Sequence, residues 1–334
     1  MSALFVIDPL ATLDAGIDSS VGLMAATTDA GAAAWVCRPE DLAITDGRLA
    51  ARARRIVVRP RVSRGDHRWL VDSPWFDEVE RREIDVADEV QVALLRLDPP
   101  VDPRYLRSTY LLDVAADAGV HVVNRPSGVR TLQEKLWGLR FPTLCPDTLV
   151  AADVDLVLSF VDQHGAAVLK PVDGFSGIDV WLLRAGDRNT RSLVESATGR
   201  GTRHVVVQEY LPSVDSRNKR LFLLDGELVG TVDRVPTSDD FRIGPPSRSV
   251  EPDERDREIA RGLAPYLHQL GITLAGLDVI DGRLIEVNVT CPGGMHKTDA
   301  LLGTDLSGTI LRRLLHLSDT TATATATTKE EVLT

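Results

Sequence analysis

Lysine is scarce in this sequence: of 38 basic residues only five are lysine, at Lys135, Lys170, Lys219, Lys297 and Lys329. Arginine meets the general need for positive charge, so a surviving lysine marks a place that wants a compact point charge rather than a planar fork. Cysteine is scarcer still. Cys37, Cys145 and Cys291 are odd in number, far apart and in no CxxC pair, which argues against a disulfide framework and a zinc site and leaves three small side chains expected in the core. No apolar run approaches the roughly 20 residues of a membrane span, and the opening SALFVI lacks the basic flank of a signal peptide. A cytoplasmic protein with no membrane partner is expected. The net charge of -11 argues against a nucleic-acid partner, whose binders carry a basic footprint. The one arginine-rich stretch, RLAARARRIVVRPRVSR from Arg48 to Arg64, reads as the solvated side of a strand and loop.

What is present is an ordinary globular composition, 43% hydrophobic and 26% charged over 334 residues, enough for two or three domains. The first third alternates strand-like ALFVID, AAAWVC, VALLRL and VHVVN with helical PRYLRSTYLLDVAADAG, the pattern of a mostly parallel sheet flanked by helices. Near Asn124 the character changes. Thr131 and Glu134 in TLQEKLW have the spacing of a capping box, which would put Lys135 in the first turn of a helix. A helix in DVDLVLSFVDQHG leads into the strand AAVLKP, then comes DGFSGIDVWLL, where Gly174 and Gly177 permit the close backbone approach of a phosphate-cradling loop. A strand RHVVVQEYLP, a hairpin across Asp225-Gly226 and a helix from Asp253 to Gly271 follow. After Leu317 the tail SDTTATATATTKEEVLT lacks apolar periodicity, and disorder is expected over 318–334.

The stretch GLDVIDGRLIEVNVTCPGGM, from Gly276 to Met295, sets Asp278, Glu286 and Asn288 among strand residues around an Asp281-Gly282 turn. Carboxylates are costly to bury without a partner, so such acids either lie at a solvated edge or hold a cation. Glu286 and Asn288 share a face. A strict two-residue turn would pair Asp278 with Ile285, so a common cluster requires a longer turn or a bulge.

Taken together, VIDP, DSS at Asp18 to Ser20, LRLDPPVD, VVNRPSGVR, QEKL, LKPVDG, QEYLPSVD, KRLFLLDGE and GLDVIDGRLIEVNVTCP resemble the bacterial glutathione synthetases of the ATP-grasp superfamily. The likeness covers nearly all of residues 1–316. It implies an α/β ATP-grasp architecture: an N-terminal Rossmann-like domain over 1–124, a lid over 125–204 and a C-terminal ATP-binding part over 205–317. It implies that Lys135 and Lys170 contact ATP, that Gln208, Glu209, Tyr210 and Leu211 line the adenine, and that Asp173, Gly174, Ser176 and Gly177 cover the phosphates. It further implies that Asp278, Glu286 and Asn288 hold Mg2+, two ions with Mn2+ as a substitute, and that Arg220, Arg234 and Arg242 face the reacting carboxylate with Gly293 and Gly294 beside the substrate. The implied chemistry is phosphorylation of a carboxylate and attack of an amine on the acyl phosphate. A homo-oligomer would be in keeping with the family.

Three departures bear on substrate. Ser176 stands where the family usually has glycine. VPTSDDFRIGPPSRSVEPDE, residues 235–254, is shorter than the family's glycine-rich loop and keeps Arg242 and Arg248 but has Pro245-Pro246, which stiffens it. CPGGMHK replaces the usual Ser-Pro-Thr segment after the metal strand. On these grounds a specialised ligase joining an amino acid or γ-glutamyl donor to another amino acid is favoured. Glutathione synthetase proper and a non-catalytic nucleotide-binding module are the alternatives.

Overall fold

Alternation of buried side chains builds the first layer. In the strand Ser2–Ile7, Leu4 and Val6 enter one apolar core while Ala3, Phe5 and Ile7 enter another, so the strand is buried on both faces, as a central parallel strand must be. It pairs in parallel with Ala33–Cys37 and Val92–Arg96, and His121–Val123 extends the parallel run. The antiparallel strands Leu42–Thr45, Arg48–Val58 and Phe76–Asp85 widen the sheet to seven strands. The arginines of Arg48–Val58 face the acids of Phe76–Asp85, with Arg54 on Glu78 and Arg55 on Glu80, so the arginine-rich stretch is an ion-paired ribbon. The helix Pro103–Asp117 starts on the Asp102 side chain and packs on one face of the sheet, and Ser19–Asp29 packs on the other. The computed structural model describes residues 1–331 apart from Ser176, Ser216, Val235, 237–239, Phe241 and Ile243, with side chains through Ser318 except that of Asp215.

A second, antiparallel sheet has the order Thr148–Ala151, Val205–Glu209, Ala166–Pro171, Trp181–Arg184. It has its own small core with the helices Val154–His164 and Thr190–Ala197. The third sheet runs Arg248–Ser249, Glu227–Asp233, Asn218–Leu224, Leu274–Ile280, Arg283–Asn288. Against it lies the helix Glu254–Leu270, capped by Asp253 at its start and by Gly271, φ 67°, at its end.

The expected boundaries shift. Val205–Glu209, beyond the expected limit at 204, is an inner strand of the second sheet. Residues 125–144 leave the lid, because Val129, Leu132, Trp137 and Leu144 are buried in the large core shared by the first and third sheets. Asn124 seals that junction: its Nδ2 donates to Leu274 O and Val289 O at 2.7 and 2.8 Å, and its Oδ1 accepts from Thr273 N and Leu274 N at 2.9 and 2.8 Å. The tail differs from expectation as well. The last helix runs from Leu306 through Glu331. Its first turns are fixed by buried Ile310, Leu311, Leu314 and Leu315, and from a formed helix each further residue adds a bond without a new nucleus.

Candidate active site

The third sheet carries a row of charge across three strands. Arg220 pairs with Asp278, and Asp278 pairs with Glu286. The ladder shifts register between Asp278 and Val279, since Val279 pairs with Leu284. The extra residue, Ile285, is therefore the bulge that the sequence required, and Asp281 and Gly282, φ 48° and 71°, make the tight turn. One step along the ladder, Gly276 pairs with Asn288, bringing Asn288 onto the same face.

Asp278 is 3% exposed. Arg220 grips it with two bonds, Nε to Oδ1 at 2.7 Å and Nη2 to Oδ2 at 2.9 Å. Arg234 and Asn288 make longer contacts with it, at 3.4 and 3.3 Å. Burial would raise the Asp278 carboxyl, but the two guanidiniums outweigh it and hold it below the usual carboxylate range. Burial and the neighbouring Arg220 bring Arg234 down to about 10.

The lysines approach from the other side. Lys170, on the second sheet, is 6% exposed; burial lowers its pKa to about 8, Lys135 adding to the effect while Glu286 and Asp278 oppose it. Lys135 lies 3.1 Å from Glu286 Oε1 and donates to Gly174 O. It does so from a turn and not from a helix starting at Thr131: the helix Pro126–Thr131 ends there, and Gln133 Oε1 accepts from Lys135 N and Leu136 N. Glu134 does not close a capping box. Its buried Oε1 accepts from Val289 N, Thr290 N and Thr290 Oγ1 at 2.7 to 2.9 Å, tying this turn to the end of the metal strand. Burial and the adjacent Glu286 raise its pKa against those bonds.

A cavity of about 610 Å³ lies between the second and third sheets. Lys135, Lys170, Gly174, Gly177, Gln208, Glu209, Tyr210 and Leu211 line it, as do Arg220, Arg234, Arg242, Asp278, Glu286, Asn288, Gly293 and Gly294. Asp173 is exposed and outside that lining, and Ser176 lies outside the described residues. Arg242 is exposed, paired with Asp240, and donates to Gly177 O at 3.1 Å. It links Asp240 to the glycine loop at Gly177 and lines the same cavity as Asp278. Arg248 pairs with Asp233, and Cys291 is half-buried on the cavity wall rather than in the core, unlike Cys37 and Cys145. The sequence reasoning missed Glu134 as a site residue, and with it Asp98 and Lys297, which also line the cavity. The scarcity of lysine was the available signal for the last.

The site can accept a hard cation. Glu286, Asn288 Oδ1 and Asp278 are oxygen donors on one face, the set that magnesium prefers. Asn288 Nδ2 is engaged by Gly276 O at 3.1 Å, which fixes the carboxamide with its oxygen available. Asp278 has all four lone-pair positions occupied, and the two contacts longer than 3.2 Å are the ones it would release.

Comparison with known proteins identifies the family. The family model "Prokaryotic glutathione synthetase, ATP-grasp domain" matches residues 134–303, and "Prokaryotic glutathione synthetase, N-terminal domain" matches 1–130. A glutathione synthetase of Thermosynechococcus vestitus is 42% identical over 315 residues, covering 93% of this chain and 98% of that protein; one of Pseudomonas putida is 35% identical, covering 92% and 95%. In fold, the D-cycloserine synthetase DcsG superposes with a TM-score of 0.60 at 17% identity, covering 93% of this chain and 99% of that one. A RimK domain ATP-grasp protein from Sphaerobacter thermophilus gives 0.58 at 19%, covering 94% and 100%. The chain belongs to the prokaryotic glutathione synthetase family, with its ATP-grasp fold, and is an ADP-forming ligase that makes carbon–nitrogen bonds.

Proposed function

We propose that this ligase is a glutathione synthetase, joining γ-glutamylcysteine to glycine at the expense of ATP. The observation that carries the proposal is the extent of the likeness: proteins so named match over 93% of this chain and 98% of their own length, so the whole cavity lies within the matched region. The specialised ligase favoured by the shortened 235–254 segment and by CPGGMHK has no relative among these to support it.

Bound magnesium, one ion or two and replaceable by manganese, would neutralise phosphate charge so that a carboxylate can approach the terminal phosphoryl group. Glu286, Asn288 and Asp278 would hold it. Lys135 and Lys170 bring compact positive charge to the phosphates, and the segment Gln208 to Leu211, where the second sheet hands over to the third, lines the adenine. Arg220, held rigid by its two bonds to Asp278, and Arg234 orient the reacting carboxylate. Gly174 and Gly177 cover the site, and the bond from Arg242 to Gly177 O draws the 240s loop over the same opening, which keeps water from the activated acyl group. The substrates are small molecules; among the described residues no helix is long and apolar enough to cross a membrane.

The test is mass spectrometry of the product formed from ATP, magnesium and a mixed pool of amino acids and γ-glutamyl dipeptides. Glutathione as the dominant product supports the proposal. A different amide as the dominant product, with none from γ-glutamylcysteine plus glycine, returns the specialised ligase.

A further inference from the structure

Most cations around the cavity already have an anion. Lys135 faces Glu286, Arg220 and Arg234 share Asp278, and Arg242 holds Asp240. Lys170 stands among Glu286, Lys135 and Asp278 and serves the phosphates in the function proposed above. Lys297 is different. It lies in the first turn of the helix Met295–Leu302, lines the cavity and is half-buried, yet among the described residues it makes no ion pair or hydrogen bond. The acids nearest in charge, Asp14 and Asp18, are committed elsewhere: Arg68 Nη2 donates to both oxygens of Asp14 at 2.9 and 2.8 Å, and Asp18 accepts from Ser20 N at 2.7 Å. Like charges, Arg234 and Arg68, also act on it, and with burial they disfavour its ammonium.

Holding an uncompensated ammonium in a half-buried wall costs stability, and this chain uses arginine almost everywhere else. Such a charge is arranged to meet an anion brought by a ligand. The phosphates already have Lys135 and Lys170 in the function proposed above, and Lys297 comes from a different element, the helix that follows Gly293 and Gly294. Both substrates of the proposed reaction carry a carboxylate that does not react: the α-carboxylate of the γ-glutamyl donor and the carboxylate of the amine acceptor.

We propose that Lys297 receives the non-reacting carboxylate of one amino-acid substrate and so selects which substrates the ligase accepts. The inference rests on the reading of the site as a ligase for small amino-acid substrates. A charge-assisted bond of this kind is worth roughly ten- to a hundredfold in binding.

The test compares the wild type, Lys297→Met and Lys297→Arg in steady state with γ-glutamylcysteine, glycine and ATP, and repeats each with glycinamide and with a donor amidated at its α-carboxylate. Lys297→Met is expected to raise the KM of one amino-acid substrate about ten- to a hundredfold while that of ATP stays within twofold, and Lys297→Arg to recover part of the loss. Amidating the carboxylate that Lys297 meets should penalise the wild type by the same factor and the methionine variant hardly at all. The arm that shows this coupling identifies the substrate. Unchanged KM values for both substrates in Lys297→Met, or amidation penalties undiminished in it, overturn the inference. Should the methionine variant not fold, Lys297→Gln serves in the same comparison. A wild type that makes no glutathione refutes the proposed function instead, and the same measurements on the pair it does join then decide the role of Lys297.

Discussion

Two of the three residues proposed to hold magnesium, Asp278 and Glu286, can lose their charge by near-isosteric change, and the structure expects the two losses to differ in kind. In Asp278→Asn the carboxylate at the centre of the charge row disappears. Arg220, 7% exposed, then keeps its charge with no carboxylate within reach of its two bonds, and Arg234 loses its contact at 3.4 Å. Removing one partner of a buried pair costs about 3–5 kcal/mol, so Asp278→Asn should be strongly destabilised. In Glu286→Gln, by contrast, the lost partner is Lys135, 3.1 Å away, which retains Gly174 O as an acceptor. The loss is one charge-assisted bond, roughly 1.5–3 kcal/mol at most, at a side chain that is 18% exposed. Both variants should lose turnover, because each removes an anionic oxygen from the proposed cation site. The assay is ADP release against magnesium concentration, with denaturant unfolding of the same preparations. Turnover at the wild-type level with unchanged magnesium dependence in Glu286→Gln removes it from the metal site. A Glu286→Gln protein less stable than Asp278→Asn would refute the account of which carboxylate holds the row together.

Three further expectations concern the scaffold. Asn124→Ala deletes four hydrogen bonds to the third sheet's backbone and its edge; with each unpaired buried group costing about 1–3 kcal/mol, a loss of at least about 3 kcal/mol is expected in urea unfolding, and a change under 1 kcal/mol would contradict it. Gly128→Ala places a Cβ 2.0 Å from Leu270 O, a backbone atom that cannot rotate away, so about 1–3 kcal/mol or more should be lost through separation of the segment after Asn124 from the helix Glu254–Leu270. His296, 1% exposed and stacked on Trp69 at 5.3 Å, is pushed by burial and by Arg61 from 6.5 down to about 4. The unfolded chain binds a proton below 6.5 that the folded one refuses. Its contribution to stability is therefore intact above pH 6.5 and is lost as pH falls to about 4, up to about 3 kcal/mol in all; His296→Phe should flatten that part of the stability–pH profile, and an unchanged slope would show that another group sets it.

Much of the site was legible because its signals are local. A turn dipeptide, acids on alternate strand positions, a glycine loop after a lysine strand and a shortage of lysine are all written within a few residues. So was the helix from Asp253 to Gly271, whose cap residues carry their own geometry. The capping-box expectation at Thr131 failed for a reason that sequence could not show: Glu134 finds the backbone of Val289 and Thr290, more than 150 residues away, a better set of donors than the amide at Thr131. The domain limits failed likewise. Hydrophobic pattern says that Val129, Leu132 and Trp137 are buried but not in which core, and they joined the large one.

The sequence by itself determined the α/β class, the hairpin with its required bulge, the oxygen-bearing side chains offered for a cation and, through its likeness to relatives, the family. Only the tertiary structure decided that Asp278 is held by Arg220, that Arg242 bonds to Asp240 and Gly177, and that Lys297 has no counter-charge among the described residues. The reason is physical. Backbone propensity and side-chain periodicity act over a few residues, whereas charge is compensated by whatever the folded chain brings within about 4 Å, and only three dimensions specify that partner.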